Sequence, residues 1–274
     1  MSFLKFFSDR CCRKKSVLLS PTTHEFRDYI PQKFSILMPC YNNESTIAHS
    51  IESVLDQTYQ NFELIILDDG STDNSKNIIN AFKQKDMRIL MDSHPSNKGA
   101  SFARNTSYTI SSGQYLAFID ADDTWPKHKL QRYHDQFIKG HDLIFSSYLR
   151  VAQNKTLTMK LPNQIDYNQL LKSNFIALST GSYDLSRIPF VPFEPIGHED
   201  YLMWLTLFPT VKNPCALEEP LMCYHMNKNS LSANKFKAAK WTWDIYSKHL
   251  RLGLIRSLYY FFHYARLNIL RIFL

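Results

Sequence analysis

Residues 34–150 alternate between apolar runs and amphipathic stretches. Phe34 to Met38 is a strand pattern closed by Pro39, and residues 45–57 follow with Ile47, Ile51, Val54 and Leu55 on one helical face. Phe62 to Leu67 reads as a second strand, and residues 73–85 as a helix with Ile78, Ile79 and Phe82 inward. A short strand at 87–91, a helix from Ala100 towards Gly113 and a strand from Tyr115 to Ile119 come next. A helix from Pro126 to Ile138 and a strand from Asp142 to Leu149 complete the series. Wholly apolar strands, each followed by a helix, predict a parallel sheet covered on both faces. After Arg150 the pattern becomes irregular, with Glu199 to Phe208 as its clearest helix and Pro209, Pro214 and Pro220 behind it.

Polar residues collect where these strands end. Asp120, Asp122 and Asp123 follow the Tyr115 strand within four positions. Carboxylates crowded on a strand tip repel one another, and a divalent cation with oxygen ligands, Mg²⁺ or Mn²⁺, relieves that repulsion. The plainer alternative is a polar loop in which Asp123 or Thr124 caps the next helix. The second strand ends in Asp68-Asp69-Gly70-Ser71-Thr72-Asp73, a turn with capping residues and two spare carboxylates for a base or ribose. The first ends in Pro39-Cys40-Tyr41-Asn42, where Tyr41 is either a stacking platform or a core residue. The third leads to Lys98 and Arg104, partners for a diphosphate or a carboxylate or else parts of a solvated helix start. Open α/β sheets bind ligands at these tips.

Composition narrows the class. The chain has 274 residues, is 44% hydrophobic and holds seven glycines, which sets aside fibrous and disordered proteins. Five cysteines without CxxC spacing fit reduced thiols rather than a disulfide framework or a zinc site. Of the net charge of +7, residues 1–15 carry +4 and residues 233–274 carry +7, which leaves the body at −4. Two basic ends on a mildly acidic body predict contact with an anionic surface. A nucleic-acid partner is not expected, because it calls for a basic groove on the fold itself.

Taken in order, the motifs resemble those of the family 2 glycosyltransferases. The matching runs are Ser35 to Asn42, Ser53 to Tyr59, Phe62 to Asp73, Ala103-Arg104-Asn105 and Asp120-Ala121-Asp122-Asp123. The likeness is continuous over residues 34–150 and thinner beyond, at Gly197 to Asp200 and Tyr224 to Ser232. It implies a GT-A fold, an α/β Rossmann-like and mostly parallel sheet flanked by helices, with a mixed acceptor-side half and C-terminal helices. The expected divisions are an extension at 1–33, a nucleotide-sugar half at 34–150, an acceptor half at 151–232 and basic amphipathic helices at 233–274. The implied reaction is an inverting, metal-assisted transfer of a hexosyl or N-acetylhexosaminyl group from a nucleotide-diphosphate sugar, a UDP-sugar first, to a glycan or lipid-linked acceptor. By matching position Pro39, Tyr41 and Asp69 hold base and ribose, with Lys98 and Arg104 beside them. Asp120 lies near the ribose, Asp122 is the metal ligand and Asp200 is the general base; His198 is a weaker base candidate. Where the family commonly has Tyr-Arg this chain has Tyr224-His225, so His225 or Lys228 would stand in at the diphosphate.

The tail from Leu252 is aromatic and aliphatic, interrupted by Arg256, Arg266 and Arg271. Spanning needs about 20 apolar residues, so the tail is expected to lie on an anionic membrane surface or to pack on the domain. The reading is a peripheral enzyme on the cytoplasmic face of the membrane, acting in surface-polysaccharide or lipopolysaccharide synthesis. The alternatives are a sugar-nucleotide nucleotidyltransferase, disfavoured because Pro39 to Glu44 holds neither Gly nor a basic residue, and an inactive scaffold of the same fold.

Overall fold

The structure, a computed structural model, describes residues 28–152, 155–162, 165–225 and 235–270, with side chains to residue 267. Residues 1–27, Lys228 and the rest of 226–234 lie outside the described residues, as does Arg271.

Strand β1 (Ile30–Cys40), helix α1 (Ile47–Leu55), β2 (Phe62–Asp68), α2 (Ser75–Lys83), β3 (Ile89–Ser93), α3 (Ala100–Thr109) and β4 (Gly113–Phe118) follow the expected alternation. All four strands run parallel in the order β3-β2-β1-β4, with Ile36 opposite both Leu64 and Ala117. Successive side chains of a strand point to opposite faces, and this divides each apolar run between two cores. Ile36, Leu64 and Ala117 meet Ile47, Ile51 and Val54 of α1 on one side. Leu37, Ile65, Leu116 and Phe118 face the other core. Full burial of one such side chain contributes about 1.5–3 kcal/mol.

The second half is irregular and mixed, as the sequence pattern leads one to expect. Strand β5 (Asp123–Thr124) precedes helix α4 (Lys129–Phe137), strand β6 (Leu143–Ala152), its hairpin partner β7 (Lys155–Met159) and helix α5 (Tyr167–Lys172). Strand β8 (Ser182–Asp184), helix α6 (Glu199–Leu207) and strand β9 (Pro214–His225) follow. The sheet is parallel through β3-β2-β1-β4 and mixed beyond, as expected of the acceptor-side half, in the order β3-β2-β1-β4-β8-β6-β9-β5. Strand β8 inserts antiparallel between β4 and β6, and β5 pairs antiparallel with β9. Three residues are too few to show a period, so β8 left no trace in the hydrophobic pattern. Helix α4 begins at Lys129 rather than Pro126, because residues 123–124 are drawn into the sheet and the Pro126 carbonyl accepts from Gln57 Nε2 at 2.8 Å.

Helix α7 (Lys235–Asp244), a π-helical turn (Ile245–His249) and helix α8 (Leu254–Leu270) close the chain. Ile245 and Tyr246 are fully buried in the core that holds α5 and α6. The Tyr246 hydroxyl donates to the Leu171 carbonyl at 2.6 Å and lies 3.0 Å from the Tyr201 hydroxyl. Among the described residues no helix is long and apolar enough to cross a membrane.

Candidate active site

The tips of β1, β2, β3 and β4 form one rim. Reciprocal hydrogen bonds lock the first two tips together: Asn42 N–H donates to Ser71 Oγ at 3.0 Å and Thr72 N–H to Asn42 Oδ1 at 2.8 Å. Glu44 N–H donates to Asp73 Oδ2 and Asn74 N–H to Glu44 Oε2. This staple leaves Tyr41 43% exposed, so it is a surface residue rather than a core one. Pro39 sits beside it, half-buried in β1.

Asp69 is buried and joins the tip of β2 to the loop after β3. Its carboxylate accepts from His94 Nδ1 at 2.6 Å, Lys98 N–H at 3.0 Å and Gly99 N–H at 2.7 Å. Lys98 contributes its backbone here and exposes its side chain. Gly70 has a φ of +73°, and a Cβ there would come within 2.7 Å of Ser96 Cα, so this crossing requires glycine. His94 is a site residue that the sequence pattern did not single out. Its other nitrogen contacts Thr106 Oγ1 at 3.1 Å, and only the fold brings those positions together.

The acidic corner separates into distinct parts. Asp123 is buried and its strand pairs with β9, bringing Thr124 Oγ1 to 3.1 Å from His225 Nε2. Burial first, then the charge on Asp120, holds the Asp123 carboxyl well above the usual carboxylate range. Lys129, also buried and pushed well below its ordinary value by burial, donates to the Ser179 carbonyl at 2.5 Å. Asp123 therefore belongs to the interior and caps no helix. Asp120 and Asp122 keep partial access to solvent. The backbone N–H of Asp120 is held by Ser179 Oγ at 3.0 Å.

Arg104, expected on a diphosphate or a carboxylate, lies on two carboxylates. Its guanidinium is buried and donates to Asp120 Oδ1 at 2.7 Å and to Glu199 Oε1 at 2.8 Å, above the ring of Phe193. It thereby ties the β4 tip to the first turn of α6, 95 residues away along the chain from Arg104. Asp200 follows Glu199. Burial and the adjacent Glu199 charge push its carboxyl up to about 7, and Arg104 and Asp120 lie close enough to act on it. Asn174 Nδ2 donates to Asp200 Oδ2 at 3.1 Å. Asn174, like Ser179, comes from the irregular segment where no motif marked it. Arg104 Nε, Asp123 Oδ1 and Asn174 Oδ1 are buried without a protein hydrogen-bond partner.

His198 precedes α6 in the left-handed conformation, with a φ of +58°. Its ring packs edge-on against Trp241 of α7, with 5.3 Å between centroids, and burial lowers its pKa. The Trp241 indole fills the space that a Cβ on Gly197 would need. The C-terminal helices therefore buttress the loop that presents Asp200.

The profile of the family described as Glycosyl transferase family 2 matches residues 35–186, more than half of the chain. The chain belongs to glycosyl transferase family 2. It is 36% identical over 235 residues to an uncharacterized glycosyltransferase of Haemophilus influenzae, covering 84% of this chain and 94% of that protein. It is 34% identical over 239 residues to the UDP-Glc:alpha-D-GlcNAc-diphosphoundecaprenol beta-1,3-glucosyltransferase WfgD of Escherichia coli, covering 86% and 93%. Two solved structures share the fold. S. aureus TarS 1-349 in complex with UDP-GlcNAc has a TM-score of 0.65 at 19% identity, over 78% of this chain and 64% of that one. The mannosyltransferase PcManGT of Pyrobaculum calidifontis, in complex with GDP-Man and Mn²⁺, has a TM-score of 0.61 at 16% identity, over 82% and 66%. The protein is a glycosyltransferase with the expected GT-A architecture, and the nucleotidyltransferase alternative is set aside.

Among the described residues of this family 2 enzyme, no three metal-binding side chains form a cluster. Mg²⁺ and Mn²⁺ in phosphate-handling sites take one or two carboxylates and complete their shell with substrate oxygens and water. The pair Asp120 and Asp122, partly exposed beside the buried Asp123 whose pKa their charge helps to raise, fits that demand.

Proposed function

We propose that this family 2 enzyme transfers a hexosyl or N-acetylhexosaminyl group, with inversion, from a UDP-sugar to a hydroxyl of a lipid-linked oligosaccharide at a membrane surface. The observation that carries the reading is the Arg104 bridge, which sets the Asp120–Asp122 corner beside a carboxyl pushed up to about 7 on Asp200. A donor site and a base must be held in register for a single displacement, and one buried guanidinium joined to Asp120 and to Glu199, the residue before Asp200, is a direct means of doing so.

Asp200 takes the proton of the acceptor hydroxyl as its oxygen bonds to the anomeric carbon. The bond from that carbon to the diphosphate oxygen breaks, and its electron pair leaves with the nucleoside diphosphate. Asp122, with Asp120, would hold a divalent cation that neutralises charge on the leaving group. Tyr41, Pro39 and the Asp69-ordered loop form the base and ribose side. Lys98 and His225 border the diphosphate, with Lys228 assigned there by sequence alone. The acceptor assignment draws on WfgD, whose name specifies a diphosphoundecaprenol-linked acceptor.

The test is transfer with a panel of UDP-sugars and Mn²⁺ on wild type, Asp122→Ala and Asp200→Asn. Asp122→Ala should lose metal-dependent transfer, and Asp200→Asn should lose transfer while still binding UDP. Wild-type turnover by Asp200→Asn would remove the base assignment.

A further inference from the structure

Helix α8 has two apolar faces where an ordinary surface helix has one. Ser257, Tyr260, Phe261 and Tyr264 recur at helical spacing and face the domain. The Tyr260 hydroxyl donates to Asn168 Oδ1 at 3.1 Å, and the Phe261 ring lies 5.6 Å from that of Trp243. The opposite stripe is Ile255, Leu258, Tyr259 and Phe262, with Leu254 beside it, and among the described residues none covers it. Ile255 is 85% exposed and Phe262 66%. A surface helix normally gives that face to polar residues. Arg266 falls on the same line four residues after Phe262, Arg251 and Arg256 are exposed nearby, and no acidic residue occurs between Asp244 and the end of the chain.

We infer that this outward face of α8 docks on an anionic lipid bilayer, with Ile255, Leu258, Tyr259 and Phe262 entering the interface. The inference deepens the membrane-surface reading above and rests on it for the purpose of the contact. A helix of 17 residues is about 25 Å long, short of the ~30 Å hydrocarbon core, and it carries two arginines, so it lies flat rather than spans. Apolar and aromatic side chains flanked only by cations match the boundary between acyl chains and negatively charged headgroups. The charge division supports the same partner, because the basic segment 233–274 is attached to a body of net negative charge that would be repelled from such a surface. The docked helix also bears on the site. Helix α8 packs on α7, whose Trp241 fills the space beside Gly197, so the same C-terminal unit that meets the bilayer backs the Asp200 loop.

The experiment is co-sedimentation of the full chain with phosphatidylcholine vesicles, with and without phosphatidylglycerol, at low and high salt. The expected result is binding only to phosphatidylglycerol vesicles, weakened by salt. The double variant Ile255→Glu/Phe262→Glu should reduce partition about tenfold or more, and Arg256→Gln or Arg266→Gln about fivefold each. These side chains are exposed, so the variants should keep the wild-type melting temperature. Stabilisation by UDP with Mn²⁺ is measured on the same samples. Its absence in the wild type would count against the transferase reading and leave the docking face intact. Wild-type protein that stays in the supernatant with phosphatidylglycerol vesicles, or a double variant that binds as tightly as wild type, overturns the inference. A concentration-dependent dimer abolished by the double variant, without vesicle binding, would assign the face to a second copy instead.

Discussion

Replacing Arg104 by methionine keeps the length and apolar contacts of the side chain and deletes the charge that joins Asp120 to Glu199. Removing one partner of a buried ion pair costs about 3–5 kcal/mol, because the remaining charge is left without compensation. Here the guanidinium is nearly sealed, at 5% exposure, whereas Asp120 and Glu199 retain 38% and 23%. Water can therefore take over part of the lost stabilisation, and about 2–4 kcal/mol is the expected loss. For a protein of this size each kcal/mol moves the melting temperature by about 2–4 °C, so the variant should melt roughly 4–16 °C lower. Urea denaturation followed by tryptophan fluorescence measures the free energy, and calorimetry measures the temperature. Arg104→Lys should recover little, since a single ammonium does not reproduce a fork that serves two carboxylates. A double-mutant cycle with Glu199→Gln separates the bridge from general packing and should return a coupling of about 0.5–3 kcal/mol. A loss below about 1 kcal/mol together with no coupling would refute the claim that this residue holds the two halves of the site in register.

Three other outcomes follow from the geometry. With the Asp200 carboxyl pushed up to about 7, the rate should fall as pH drops through about 7; Asn174→Ala, which removes a donor to the charged carboxylate, should move that midpoint upward, and a midpoint near pH 4 would refute the raised pKa of this carboxyl. Because the folded pKa lies above the unfolded one, the charged carboxylate costs stability that is fully felt above about pH 7, so Asp200→Asn should melt higher than wild type at pH 8 and the gap should close by about pH 4. Gly197→Ala drives a methyl into the Trp241 indole and should cost about 1–3 kcal/mol in urea unfolding, and the double variant with Trp241→Ala should lose less than the sum of the two single changes.

The order of motifs along residues 34–150 was enough to name the family, and the reason is local. Each strand tip is set by residues adjacent in the chain, so Asp69 after Phe62 to Leu67, and Asp120 and Asp122 after the Tyr115 run, are legible without coordinates. Burial on both faces was legible too, because a strand without polar positions has no side to offer to water. Tertiary structure decided what those residues touch. Asp122 and Asp123 look alike in sequence, and only the pairing of β5 with β9 sends one towards solvent and the other into the interior. Arg104 was legible as a partner for a diphosphate or a carboxylate, and only the fold showed which carboxylates it meets, Asp120 and, far along the chain, Glu199. Strand β8, Asn174 and Ser179 were invisible because they lie in short, aperiodic segments whose roles are fixed by long-range pairing. The tail shows the same division: composition required an anionic or apolar neighbour for α8, and packing determined which stripe the domain covers and which one no described residue covers.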